Sequence, residues 1–173
     1  MGLGARIIDK KGRLPHIAWR WDAETDILTG AVKRTVKKGA PGLTGSVELE
    51  GADGSFILLD MAAGLIRGVE VVVWPDVNTV PVLSPPADPK HGDVELPTRR
   101  SQPSIAAVEV DTILAIDTNA DESVFHVRLS TVRPVTAWQV ADGLIAEVDE
   151  HQELAGLWLT GVPAFPALPE GDL

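Results

Sequence analysis

The stretch Asp53-Gly54-Ser55-Phe56-Ile57-Leu58-Leu59-Asp60, followed shortly by Leu65-Ile66-Arg67-Gly68-Val69-Glu70-Val71, decides how this chain is read. An Asp-Gly turn opens it, and aliphatic runs of strand length follow, separated by small residues. Runs of that length between turn residues specify β-strands. The same pattern continues outward. Strands are expected at residues 17–21, 27–33, 46–50, 56–60 and 65–74, then at 107–116, 123–129, 135–140, 144–149 and 154–159. Long helical periodicity is scarce, so the expected class is all-β.

Working outward also shows repetition. Asp53 to Asp60 lies over Asp142-Gly143-Leu144-Ile145-Ala146-Glu147-Val148-Asp149, and Leu65 to Val71 lies over Leu154-Ala155-Gly156-Leu157-Trp158-Leu159. Upstream, Asp22-Ala23-Glu24-Thr25-Asp26 faces Asp117-Thr118-Asn119-Ala120-Asp121. Three blocks in one order suggest an internal duplication. The offset falls from 95 at Asp22/Asp117 to 89 at Asp60/Asp149, which puts about six extra residues in the basic, Gly-rich segment 33–45. A unit of about 55 residues buries only about 60% of its unfolded surface and is marginal alone. The expected architecture is therefore two tandem antiparallel meanders, packed as a pseudo-two-fold sandwich or barrel-like core. Such packing would reproduce within one chain what a single-copy relative achieves by dimerising.

The expected organisation is an N-terminal basic segment 1–16, a first meander 17–74, a Pro-rich linker 75–103, a second meander 104–162 and a Pro-rich tail 163–173. Prolines at 75, 81, 85, 86, 89, 97 and 103 suggest an extended strap, because proline lacks the amide donor a ladder needs. Phe165 and Leu168 in the tail are candidates to dock on the body.

The 173 residues carry 25 acidic and 15 basic side chains and no cysteine, which excludes thiolate chemistry and disulfide scaffolds. Residues 1–38 hold 9 of the basic side chains against 4 acids, so a basic strip rides on an acidic body. That body repels phosphate backbones, and only the strip around Lys33, Arg34, Lys37 and Lys38 could touch nucleic acid, which is disfavoured. The apolar stretch 56–74 is broken by Asp60, Arg67 and Glu70, so no membrane span is expected. No signal-peptide pattern opens the chain, and a cytoplasmic location is expected.

Trp21-Asp22-Ala23-Glu24-Thr25-Asp26-Ile27-Leu28 and Asp60-Met61-Ala62-Ala63-Gly64-Leu65-Ile66-Arg67-Gly68-Val69-Glu70-Val71-Val72 carry a family resemblance. They resemble the opening hairpin and closing strand of the bacterial domain-of-unknown-function family 2283. The resemblance covers residues 17–74, and the second copy departs from it, with Leu157-Trp158-Leu159 where the family has Ile-Glu-Ile. It implies a β-rich fold and little chemistry. Some relatives look like neighbours of small ribonuclease-toxin genes, which implies an antitoxin-like, partner-binding role.

Asp22, Glu24 and Asp26, like Asp117, Asn119 and Asp121, have the alternate spacing that opens a calcium loop. Neither cluster has the Gly and bidentate Glu that complete one, so turn chemistry explains both. The four histidines share no metal-ligand spacing and read as unrelated surface or edge residues, so no metal or other cofactor is expected. There is no nucleophile elbow, and no catalytic residue is assigned. Asp60 and Glu70 on adjacent strands are the best acid–base pair, though solvated carboxylates are the commoner outcome. Gly39, Gly42 and Gly45 read as a flexible hairpin tip. Trp19 and Trp21, two apart, share one strand face opposite Arg20, serving either as core or as a partner hot spot, and Trp158 should pack inward.

The expected function is a non-enzymatic binding or regulatory module for a protein partner, a basic one given the acidic body, with self-association left open. The expected binding residues are Trp19, Trp21, Asp22, Asp26, Asp60 and Glu70. The alternative is a small-molecule site or weak enzyme, with a pocket between the repeats near Trp21, Asp22, Asp60 and Glu70.

Overall fold

A computed structural model of the protein describes residues 3–9, 12–34, 40–96 and 105–166. Every element within them is a strand: β1 (Arg6–Asp9), β2 (Ile17–Trp21), β3 (Leu28–Val32), β4 (Thr44–Glu50), β5 (Phe56–Ala62), β6 (Leu65–Val73) and β7 (Val77–Thr79). Then follow β8 (Lys90–Glu95), β9 (Ile105–Asp111), β10 (Ala115–Thr118), β11 (Phe125–Arg128), β12 (Val135–Ala141), β13 (Leu144–Asp149) and β14 (Leu154–Leu159). The all-β reading holds, and the strands form one sheet curled into a half-barrel. Among the described residues no helix is long and apolar enough to cross a membrane.

Alternation explains the curl. In β5, Ile57, Leu59 and Met61 are buried while Asp60 is exposed, and in β4 Val47 and Leu49 are buried on the same rhythm. The inward residues of both chain halves merge into one core, in which Ile17, Leu28, Leu59 and Val71 share a cluster with Ile116, Phe125, Leu144 and Leu157.

Strand neighbours run β4-β5-β6-β3-β2 in the first half and β12-β13-β14-β11-β10 in the second. Several pairings recur between the two runs. Asp60 of β5 faces Gly68 of β6, as Glu147 of β13 faces Gly156 of β14, and a register shift directly follows both acids. Trp21 faces Leu28 across the first hairpin, as Thr118 faces Phe125 across the later one. Laid over each other by these pairings, the two halves would set Asp60 beside Glu147 where the sequence sets Asp149, and Trp21 beside Thr118, hence Asp22 beside Asn119 where the sequence sets Asp117. These two-residue differences are invisible in the sequence because bulges and turns absorb length without changing the apolar pattern.

The expected strap 75–103 contains two strands, and one of them joins the halves. β8 pairs with β1 along Arg6–Asp9, parallel to β12 at Trp138 and Gln139, and with β6 at Leu65. Its Lys90 to Leu96 segment lies between prolines, which leaves all of its amides free for a ladder. The basic N-terminal segment likewise contains a strand, β1, which pairs with β8. β9 lies parallel to β4, so it completes the first half although it follows the linker. The expected strand 107–116 is two strands separated by Thr112 to Leu114, a break unmarked by Gly or Pro.

Gly42 is not a hairpin tip. Its φ is 113°, and a Cβ there would meet the Ala63 carbonyl carbon at 2.5 Å, so it packs the β3–β4 connection onto the β5–β6 turn. Gly39, Lys37, Lys38 and Leu168 lie outside the described residues.

Candidate functional site

The first hairpin of each half is turned by a side chain bonding back to its own backbone. Asp22 Oδ1 accepts the amides of Glu24 at 3.0 Å and Thr25 at 3.4 Å, and Asn119 Oδ1 accepts those of Ser123 at 2.9 Å and Val124 at 3.2 Å. This is the turn chemistry that the acidic spacing indicated. Ser123 also bonds Asp121 and holds that carboxyl below its usual range. Each turn ends in left-handed backbone at an acidic residue, Asp26 with φ 60° and Glu122 with φ 56°.

The two turns deliver Asp26 and Glu122 to one groove of about 310 Å³, whose wall is aromatic. Trp21 ends β2, Trp74 follows β6, Phe125 begins β11, and Phe165 belongs to the C-terminal tail. Trp21 stacks on Trp74 at 5.6 Å and 24°, Phe165 meets Trp21 edge-on at 5.2 Å, and Phe125 lies 5.3 Å from Trp74. Offset and edge-on contacts of this kind suit the ring quadrupoles. Both indoles are fixed at their polar edges. Trp21 Nε1 donates to the Pro163 carbonyl at 2.8 Å, and Trp74 Nε1 donates to the Asp26 carbonyl at 2.7 Å. Phe125 is 3% exposed and Phe165 41%, so the cluster is anchored in the core at one end and open at the other.

Of the six expected binding residues, only Trp21 and Asp26 line this groove. Asp22 holds the turn beneath it. Trp19 shares the half-buried face of β2 with Trp21, opposite exposed Arg20, but its Nε1 donates to the Thr160 carbonyl at 3.1 Å, away from the groove. Asp60 and Glu70 are elsewhere. Because Leu59 and Met61 point into the core, Asp60 must point out, and with Glu70 it lines a separate groove of about 460 Å³ on the outer face. Of the residues of the expected pocket, Trp21 thus lines one groove and Asp60 and Glu70 another. Lys33, Arg34 and Arg67 share the outer groove, whose charges are mixed. Trp74, Phe125 and Glu122 were missed. Glu122 could have been found by superposing the two Asx turns, whereas Trp74 and Phe125 belong to runs that read only as strand interior.

In the second half the corresponding outer face is filled. His126 stacks on Trp158 at 3.9 Å and 6°, and its Nε2 lies 2.6 Å from Glu147 Oε1, with all three residues buried. Trp158 is thus buried as expected but against His126 on the outer face, alternating with core residues Leu157 and Leu159. His126, buried on a strand paired on both sides, corrects the reading of all four histidines as surface or edge residues. His16, His91 and His151 are exposed. Burial of Glu147 works to raise its pKa. The His126 hydrogen bond and charge, the nearby Trp158 indole and the charge of Arg133 outweigh it, so the carboxyl sits below its ordinary value. Among the described residues the Trp158 N–H meets no acceptor in hydrogen-bond geometry.

Neither a search of protein-family models nor a search of curated proteins finds a match to this chain.

Proposed function

We propose that the protein is a binding module built from two related five-stranded units, and that the groove at their junction receives basic side chains of a protein partner. The duplication is supported by the shared neighbour order, the register shifts after Asp60 and Glu147, and the paired Asx turns. The likeness of residues 17–74 to domain-of-unknown-function family 2283 agrees with such a unit, and so does an antitoxin-like role toward a basic partner.

One observation carries the assignment of the site. Two carboxylates, Asp26 and Glu122, and four aromatic rings line the same groove, and among the described residues no basic side chain lines it. A cation gains there from carboxylate attraction and from the ring faces together. Aromatic residues at the centre of a contact also supply most of its energy.

Titration of the full chain with a lysine-rich peptide, at low and high salt, tests the reading. Binding should weaken as salt rises and fall by at least about tenfold when Asp26→Asn and Glu122→Gln are combined. Asparagine tolerates the left-handed backbone of Asp26, so that change removes charge and keeps the turn. Binding untouched by the double substitution would place the contact elsewhere.

A further inference from the structure

The geometry points to a methylated lysine side chain of the protein partner, a quaternary ammonium, as the group the junction groove prefers over an unmodified lysine. This rests on the reading of the groove as a cation site. The argument begins with what the groove offers a ligand and what it withholds.

Its two carboxylates stand at its margin. Asp26 and Glu122 are both exposed, while Trp21 and Trp74 are half-buried and Phe125 is buried. Both indole N–H groups are already bonded to backbone carbonyls, so the two indoles present π-surface and no free donor. A primary ammonium carries three donors and a tight hydration shell. Seated against the rings it would exchange water for π-surface, with the two carbonyls beside the rings already taken by the indoles, and an unmade bond of that kind is expensive. A trimethylated ammonium has no donors to satisfy. Its charge is spread over methyl groups that pack on aromatic faces, and the two carboxylates still attract it through space.

The shape of the site favours a side chain presented by a partner over a free small molecule. Small-molecule sites enclose about 70–90% of their ligand, whereas this groove lies open along the junction, with Phe165 41% exposed at its mouth. A tethered side chain needs no such enclosure, because flanking peptide adds contact along the surface.

Three short glycine-flanked peptides test the proposal against the full chain by calorimetry. One carries lysine, one trimethyllysine, and one the neutral isostere with carbon in place of the ammonium nitrogen. The trimethylated peptide should bind at least about fivefold tighter than either of the others, and free choline should bind more weakly than it. Asp26→Asn with Glu122→Gln should remove the advantage over the neutral isostere, with unchanged circular dichroism showing that the fold is intact. Equal binding of lysine and trimethyllysine would overturn the preference while leaving the basic-partner reading in place. Equal binding of the neutral isostere would show apolar contact alone and overturn the charge argument. Choline binding as tightly as the peptide would overturn the assignment to a partner side chain. If none of the probes binds, both this proposal and the cation-site reading fail.

Discussion

Glu147 on β13 and His126 on β11 meet at 2.6 Å across the backbone of β14, where the strand offers Gly156 in place of a side chain. The carboxyl is held below its ordinary value of 4.5. Its folded pKa is depressed, so its contribution to stability is complete above the unfolded value and drains away as pH falls through the folded one. Glu147→Gln should therefore flatten the decline in stability below about pH 4.5, and at neutral pH it should destabilise by about 1–3 kcal/mol. Urea unfolding of both proteins across the acid range measures this. An unchanged difference between them from neutral to strongly acid pH would contradict it.

Gly156 and Gly68 occupy matching places, but the first is tighter. A Cβ at Gly156 would lie 2.5 Å from Glu147 Oε1 and 2.8 Å from the Val127 carbonyl oxygen, while one at Gly68 would lie 3.0 Å from the Gly30 carbonyl oxygen. Gly156→Ala should cost about 1–3 kcal/mol, and Gly68→Ala clearly less. Thermal denaturation of the two variants ranks them. Equal losses would deny that Glu147 crowds its site.

Arg34 and Asp93 form an ion pair at 2.9 Å, with side chains 8% and 11% exposed. Asp93 stands on β8, so the pair ties the end of β3 to the joining strand. Asp93→Asn leaves the guanidinium buried against a neutral partner and should destabilise by about 3–5 kcal/mol. A melting temperature equal to that of the parent protein would contradict this.

The exchange of β8 and β9 between the halves bears on whether either folds alone. β4 needs β9 from beyond the linker, and β12 needs β8 from before it. A chain ending at residue 103 should leave the β4 edge unpaired and associate or stay unfolded. Adding the remaining residues as a second chain should restore a monodisperse complex. Size-exclusion chromatography with circular dichroism reads both outcomes, and a folded monomer of residues 1–103 would contradict the exchange.

Much of the fold was legible because alternation is a local signal. The strand 154–159 was read with its observed bounds, and the all-β class followed from runs such as 56–60. β8 was not legible. Lys90-His91-Gly92-Asp93-Val94-Glu95 has no apolar rhythm, and its position depends on partners far away in the chain, β1, β6 and β12. The site divides in the same way. Asp26 and Trp21 were marked by their own hairpin, whereas Phe125, Trp74 and Glu122 join them only through the packing of one half on the other. Asp60 and Glu70 were placed correctly on adjacent strands, and the pleat then turned them to the outer face.

The five tryptophans give the most direct test of the central claim, since each indole N–H has its own resonance in a nitrogen–proton NMR spectrum. Titration with the trimethyllysine peptide should shift Trp21 and Trp74 and leave Trp19, Trp138 and Trp158 in place. Shifts confined to those three, or no shift at all, would contradict the account.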